Sequence, residues 1–247
     1  MTDSQALQGV RVLDLTRVLA GPFCGQILGD LGADVTHIER PGVGDDGRMY
    51  GFSALKDSDG NATRESAFYL TANRNKKSLT VNLSKPEGQE LIRRLAADSD
   101  VLIENYKVGN LKRYGLDYES LKEVNPKLIY CSVTGYGQTG PMATRPGYDG
   151  LFQATGGMMA VTGVPDGQPG AGPLKAGPSL VDLFTGHNAA IAILGALNQR
   201  NSTGKGQYID VALLDCSVAM TSHIMQDYLV SGNAPPRLGN GGNGGGP

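Results

Sequence analysis

Asp182 is the sharpest candidate for chemistry in this chain. It lies in Gly177-Pro-Ser-Leu-Val-Asp-Leu-Phe-Thr-Gly186, an otherwise apolar stretch. The residue pattern from Ser179 to Gln199 predicts a long helix with Asp182 in its first turn. Unpaired peptide N–H groups and the helix dipole favour a carboxylate there. Two readings follow. One is a helix-capping aspartate. The other is a nucleophile: a carboxylate held ionised with little water around it can attack a thioester and form a mixed anhydride. The flanking glycines would let backbone N–H groups reach the developing oxyanion. Position alone leaves both open.

Further polar groups cluster beside the expected strands. Thr16-Arg-Val-Leu-Ala-Gly-Pro22 joins a first strand to a helix, and Glu39-Arg40-Pro-Gly follows a second. Arg40 can stack on an adenine or pair with a phosphate; Glu39 stands where a dinucleotide site places its ribose acid. Asn73-Arg-Asn-Lys76-Lys77 puts three cations in four residues just before a strand. Glu104-Asn105-Tyr106 offers an amide and an aromatic face close to Lys107, Lys112 and Arg113. Each is also what a solvated turn looks like, but together they could make the positive, partly stacking surface that an adenosine phosphate requires. Tyr148 and Asp149, after the glycine-rich Gly135–Pro141, are polar groups on an expected pocket wall or partners in a simple turn.

Several chemistries lack their signatures. The Thr16–Pro22 loop does not contain GxGxxG, which argues against a dinucleotide cradle there, and the chain has no GxSxG, HExxH or GxxxxGK[ST], which argues against a serine hydrolase, a zincin and a P-loop. His37, His187 and His223 have no metal-ligand spacing, and Cys24, Cys131 and Cys216 form no CxxC pair. No metal is expected. The cysteine usage and an N-terminus without a basic start or apolar core point to a reducing, cytoplasmic setting. Twenty-two basic and 24 acidic residues leave a net charge of −2, which gives no electrostatic case for nucleic acid. The apolar run Ala189–Leu197 is far below the ~20 residues that span a bilayer, so no membrane partner is expected.

The elements that must carry these groups alternate. Strands are expected at Val10–Leu15, Asp34–Ile38, Ser78–Leu83, Val101–Ile103, Leu128–Val133 and Gly206–Ala212. Helices are expected at Pro22–Leu31, from a Ser84/Glu87 capping box, at Gly109–Tyr114 and Tyr118–Val124, at Ser179–Gln199 and over Leu213–Val230. Residues 41–65 and 163–178 read as irregular loops. The sum is an α/β fold: an open, mostly parallel sheet with helices on both faces.

Five blocks then carry a resemblance: LQGVRVLDLTRVLAGPFCGQILGDLGADVTHIERPG, ANRNKKSLTVNL, DVLIENYKVG, LIYCSVTGYGQTGP and GKGQYIDVALLD. In this order the chain resembles the family III CoA-transferases, which include formyl-CoA and carnitine CoA-transferases and are related to the α-methylacyl-CoA racemases. The resemblance implies a Rossmann-like large domain, an interlocked homodimer, and ping-pong transfer of coenzyme A between an acyl-CoA and a small carboxylic acid. Coenzyme A would be substrate, with no tightly bound cofactor. Asp182 takes the place of the family nucleophile, through mixed-anhydride and aspartyl-CoA thioester intermediates. Val18 and Ala20 match the loop that CoA crosses; Arg40, Lys76, Asn105, Tyr106 and Arg113 match its adenine and phosphate side.

Two departures narrow this. Formyl-CoA transferases carry glutamine where Leu19 stands, and leucine cannot make its hydrogen bond. The racemases carry a histidine–aspartate step where Tyr148-Asp149 stands, and tyrosine, with a pKa near ~10, is a poor base at neutral pH. Racemase or epimerase activity, or a non-catalytic, truncated CoA-binding chain, are the alternatives.

Glycine is the compositional anomaly, with 36 in 247 residues against a typical ~7%. Six of them fall in Gly239–Gly246, a flexible tail in composition. The resemblance makes Gly241, Gly242, Gly244, Gly245 and Gly246 a mobile glycine loop that closes over the aspartyl intermediate. It also divides the chain into a CoA-binding domain at 1–230 and a glycine-rich linker at 231–247 toward a small domain that relatives carry further on, so an incomplete chain is expected.

Overall fold

The computed structural model describes residues 5–242. β1 (Arg11–Asp14) leads through α1 (Ala20–Asp30) to β2 (Asp34–Glu39). A 3-10 turn at Asp46–Met49 and the antiparallel pair β3 (Ala54–Lys56) and β4 (Ala62–Ser66) follow, then α2 (Ala67–Asn73) and β5 (Lys76–Thr80). The alternation continues with α3 (Pro86–Ala97), β6 (Val101–Glu104), α4 (Tyr118–Lys122) and β7 (Ile129–Thr134). α5 (Asp149–Thr155), α6 (Met158–Val161) and the short pair β8 (Gly163–Val164) and β9 (Gly172–Pro173) come next. The described chain closes with α7 (Leu180–Thr203), β10 (Gln207–Ala212), α8 (Leu213–Met220) and α9 (Ser222–Ser231).

Six strands form one sheet in the order β10-β7-β6-β1-β2-β5, and every neighbouring pair is parallel. Counted along the chain from the β5 edge, this is the 3-2-1-4-5-6 order of a Rossmann sheet. Alternate side chains point to opposite faces. Val12, Val101 and Ile129 join the core under α1 and α7; Leu13, Leu102 and Tyr130 join the core under α3 and α4. Strand order reverses between β1 and β6, so a crevice opens at their carboxyl ends.

Local signals misled in a few places. The helix expected at Ser84 starts at Pro86 with Lys85 as its N-cap and no side-chain cap; the Ser84 hydroxyl bonds Asn82 Oδ1 at 2.7 Å instead. β5 lies earlier than expected because Lys76–Thr80 pairs with Val35–Glu39 of β2. Residues 41–65 hold the β3–β4 hairpin, and 163–178 hold the β8–β9 pair. The final helix is two, broken at Thr221.

α7 runs one turn beyond Gln199 and ends where Gly204 turns left-handed at φ +69°. By length and composition this helix would be long enough to cross a membrane, which the run Ala189–Leu197 understates. In this fold its buried face, Val181, Ala189, Ile193 and Ala196 among others, belongs to the core shared with α1 and the sheet.

Candidate active site

The loop after β1 is the first wall of the crevice, and its backbone is held residue by residue. The Thr16 N–H donates to Asp14 Oδ1 at 3.0 Å. Asn105, just past β6, takes the Arg17 N–H at 3.0 Å and returns its amide to the Arg17 carbonyl at 2.8 Å. The Val18 N–H donates to Asp45 Oδ1 at 3.0 Å. Val18 sits at φ +74°, a conformation that a β-branched residue rarely adopts. Such strain costs on the order of 1–3 kcal/mol and persists only where the surroundings over-determine it.

The second wall is the head of α7. Gly186 brings it close: a Cβ there would stand 2.7 Å from the Ala20 carbonyl oxygen and 3.1 Å from the Phe23 ring. Only a bare backbone lets α7 settle against the first turn of α1. Gly186 is therefore packed against α1, and as the seventh residue of α7 its N–H is used within the helix rather than offered to a ligand. Asp182, one turn earlier, faces the Val18–Ala20 loop across the crevice.

Asp149 holds that helix end. Its Oδ2 accepts the Val181 N–H at 2.8 Å and the Asp182 N–H at 3.3 Å, while Gln153 Nε2 donates to its Oδ1 at 2.6 Å. The capping aspartate of α7 is thus Asp149, supplied from another element. The Asp182 carboxylate accepts no side-chain or backbone hydrogen bond among the described residues. Burial, with the Asp149 charge adding to it, pushes its pKa up to about 7. The helix terminus alone suggested an ordinary, readily ionised carboxylate; desolvation decides otherwise.

Between the walls lies a cavity of about 270 Å³. Val18, Leu19, Ala20, Asn105, Tyr106, Tyr148 and Asp182 all line it. Arg40 does not line it; it is exposed and paired with the cavity residue Asp46. Three more expected groups are elsewhere. Lys76 is buried beneath the loop, with Nζ bonded to Asp14 at 2.8 Å, the Pro22 carbonyl at 2.7 Å and Asn73 at 3.0 Å. Arg113 lies exposed over the Tyr114 ring at 4.7 Å, away from the cavity. Asp149 is behind the wall as the α7 cap, not on it.

Glu39 is likewise spent internally, on Arg48 at 2.7 and 2.8 Å and on Ser78 at 2.6 Å. Gly241 and Gly242 are exposed and do not line the cavity; Arg237, just before them, bonds the Ala160 and Val164 carbonyls at 3.3 Å and pairs with Asp166. Gly244, Gly245 and Gly246 lie outside the described residues.

Sequence reasoning missed Arg17, Asp46 and Arg145 as lining residues, whereas Lys107, expected on the positive surface beside Asn105 and Tyr106, does line the cavity. Arg17 stacks over Tyr106 at 5.1 Å and pairs with Asp46 at 3.0 Å. The signal available for Arg17 was its place in the loop that follows the first strand. Asp46 and Arg145 sit in loops that no local pattern ties to the crevice. Arg17, Lys107 and Arg145 against Asp46 and Asp182 give the cavity a positive balance suited to an anionic ligand.

The model of CoA-transferase family III matches residues 7–247. A succinate–glutarate CoA-transferase of Agrobacterium fabrum is 50% identical over 95% of this chain and 57% of its own length. The human succinyl-CoA:glutarate CoA-transferase is 47% identical over 97% of this chain and 52% of its own. A crystal structure of a CaiB/BaiF family protein from Brucella suis superposes with a TM-score of 0.90 at 48% identity, covering 96% of this chain and 61% of that one. The chain therefore spans little more than half the length of these curated relatives.

Proposed function

The chain belongs to CoA-transferase family III, and from that premise we propose that its cavity moves coenzyme A between an acyl-CoA and a carboxylic acid with Asp182 as nucleophile. The observation carrying this is Asp182 itself: a carboxylate on the cavity wall, without a hydrogen-bond partner among the described residues, facing the strained loop at the start of α1. Ionised, it attacks the thioester carbonyl carbon; the C–S bond breaks, CoA thiolate departs and a mixed anhydride remains. The thiolate then attacks the Asp182 acyl carbon. This releases the first acid, which carries one aspartate oxygen away, and leaves an aspartyl-CoA thioester. The incoming carboxylate reverses both steps and restores Asp182. No water or redox partner enters the balance.

A pKa near 7 suits the role, because it leaves a useful fraction ionised at neutral pH while keeping the carboxylate more basic than an exposed one. The relatives named for succinate and glutarate favour a short dicarboxylate as acceptor. Arg17, Lys107 and Arg145 supply counter-charge for its second carboxylate or for the CoA phosphates. Racemase chemistry is disfavoured: Tyr148 is exposed and the Asp149 carboxylate is engaged by α7. Exposed Phe52, Leu229 and Val230 favour a homodimer that covers them, to be read as dimer mass in sedimentation.

The test is covalent trapping. Incubation with succinyl-CoA and borohydride or hydroxylamine is expected to modify the peptide carrying Asp182. Asp182→Ala is expected to bind acyl-CoA without the adduct. Turnover retained in that variant would sink the assignment.

A further inference from the structure

Below the Val18 loop lies a buried cluster with no direct contact to the cavity. His37 on β2 stands beside Asp14 on β1, its partner in the parallel register. Its Nδ1 lies 3.3 Å from Asp14 Oδ2 and its Nε2 3.2 Å from Asp45 Oδ2. Lys76 on β5 adds its ammonium 2.8 Å from Asp14. The Asp14, His37, Asp45 and Lys76 side chains are each 2% exposed or less.

With the imidazole protonated, two cations balance two carboxylates: Nε2 hydrogen-bonds Asp45, while Nδ1 faces Asp14 at ion-pair distance without a hydrogen-bond partner among the described residues. Burial pulls the His37 pKa down, but the nearby Asp14 carboxylate and the bond to Asp45 overcome it and raise it to about 9. The far oxygens of the same two carboxylates hold the loop: Asp14 Oδ1 takes the Thr16 N–H, and Asp45 Oδ1 takes the N–H groups of Val18 and, at 2.6 Å, Gly47.

We infer that His37 is a positioning residue, which clamps Asp14 and Asp45 together and through them holds Val18 in its left-handed conformation on the cavity wall. The inference rests on the reading that this cavity takes a CoA thioester. Its logic is that a valine does not stay at φ +74° unaided, whereas a glycine adopts that angle freely. The need for the clamp therefore depends on the residue at position 18.

The test is a double-mutant cycle on the full chain with His37→Gln, Val18→Gly and the pair. CoA is the binding probe, and amide hydrogen exchange over residues 15–19 is the ligand-free readout. In the valine background His37→Gln is expected to raise the Kd for CoA about tenfold and to speed exchange in the loop by a similar factor. In the glycine background both penalties should fall to about twofold or less. A histidine that merely supported the sheet would not be rescued by glycine at 18. Equal penalties in both backgrounds, or none in either, overturn the inference. If the wild-type chain fails to bind CoA, the functional reading falls, while the exchange cycle still decides the role of His37. Should His37→Gln not fold, Asp45→Asn replaces it in the cycle: it removes the charge His37 pairs with, and the same rescue by glycine is required.

Discussion

The Asp149 carboxylate accepts the backbone N–H of Asp182 itself, at 3.3 Å, and that of Val181 at 2.8 Å. One acid thus anchors the helix end that presents the other. It also places a like charge beside the proposed nucleophile, which adds to burial in raising the Asp182 pKa. Asp149→Asn keeps an acceptor oxygen but removes the charge, so the acidic limb of the kcat/KM profile should move below about 7. Asp149→Ala also loses the cap and should cost about 1 kcal/mol, read by urea unfolding.

Asp182 is expected to weaken the fold that carries it. Its folded pKa, about 7, lies above its ordinary 3.8, so the native state holds the proton more tightly than the unfolded one. Stability therefore falls as pH rises between these values, and the loss persists above pH 7. Asp182→Asn should abolish transfer yet melt higher than wild type at pH 8. The gap should close toward pH 4. A variant less stable at pH 8 would contradict the buried carboxylate.

His37 works in the opposite sense. Its pKa is raised from 6.5 to about 9, so its contribution is fully present below pH 6.5 and is lost as pH climbs through about 9. Urea midpoints of wild type should fall across that window more steeply than those of His37→Gln.

Lys76 separates a structural cation from a phosphate ligand. Lys76→Met leaves Asp14 buried without that partner, and breaking a buried pair costs about 3–5 kcal/mol. A lysine that served CoA phosphate would instead change the Kd for CoA and leave the unfolding midpoint alone.

Gly186→Ala tests the approach of α7 to α1. The new methyl meets the Ala20 carbonyl at 2.7 Å, which a backbone cannot easily yield. A loss of about 1–3 kcal/mol is expected, with weaker CoA binding because Asp182 moves back from the loop.

The alternation of β-branched runs and amphipathic helices was enough to establish the α/β class; Asp182 and the Asn105–Tyr106 loop stood out by their residue types and positions, and Val18 through the resemblance, and all of them line one cavity. These signals are local: side-chain period, turn chemistry, the position of a polar group at a strand end. What a charged side chain does when it arrives is not local. Lys76 and Asp14 are 62 residues apart, and only the β1–β2–β5 pairing turns an apparently solvated cation cluster into a buried ion pair. Asp149 likewise reads as a pocket wall until α5 packs against the head of α7, 33 residues on, and makes it a cap. The sequence by itself determined which residues stand at the carboxyl ends of the strands. Only the tertiary structure decided which of their charges face the cavity and which are consumed beneath it, because desolvation and partner choice depend on neighbours that the sheet order brings together.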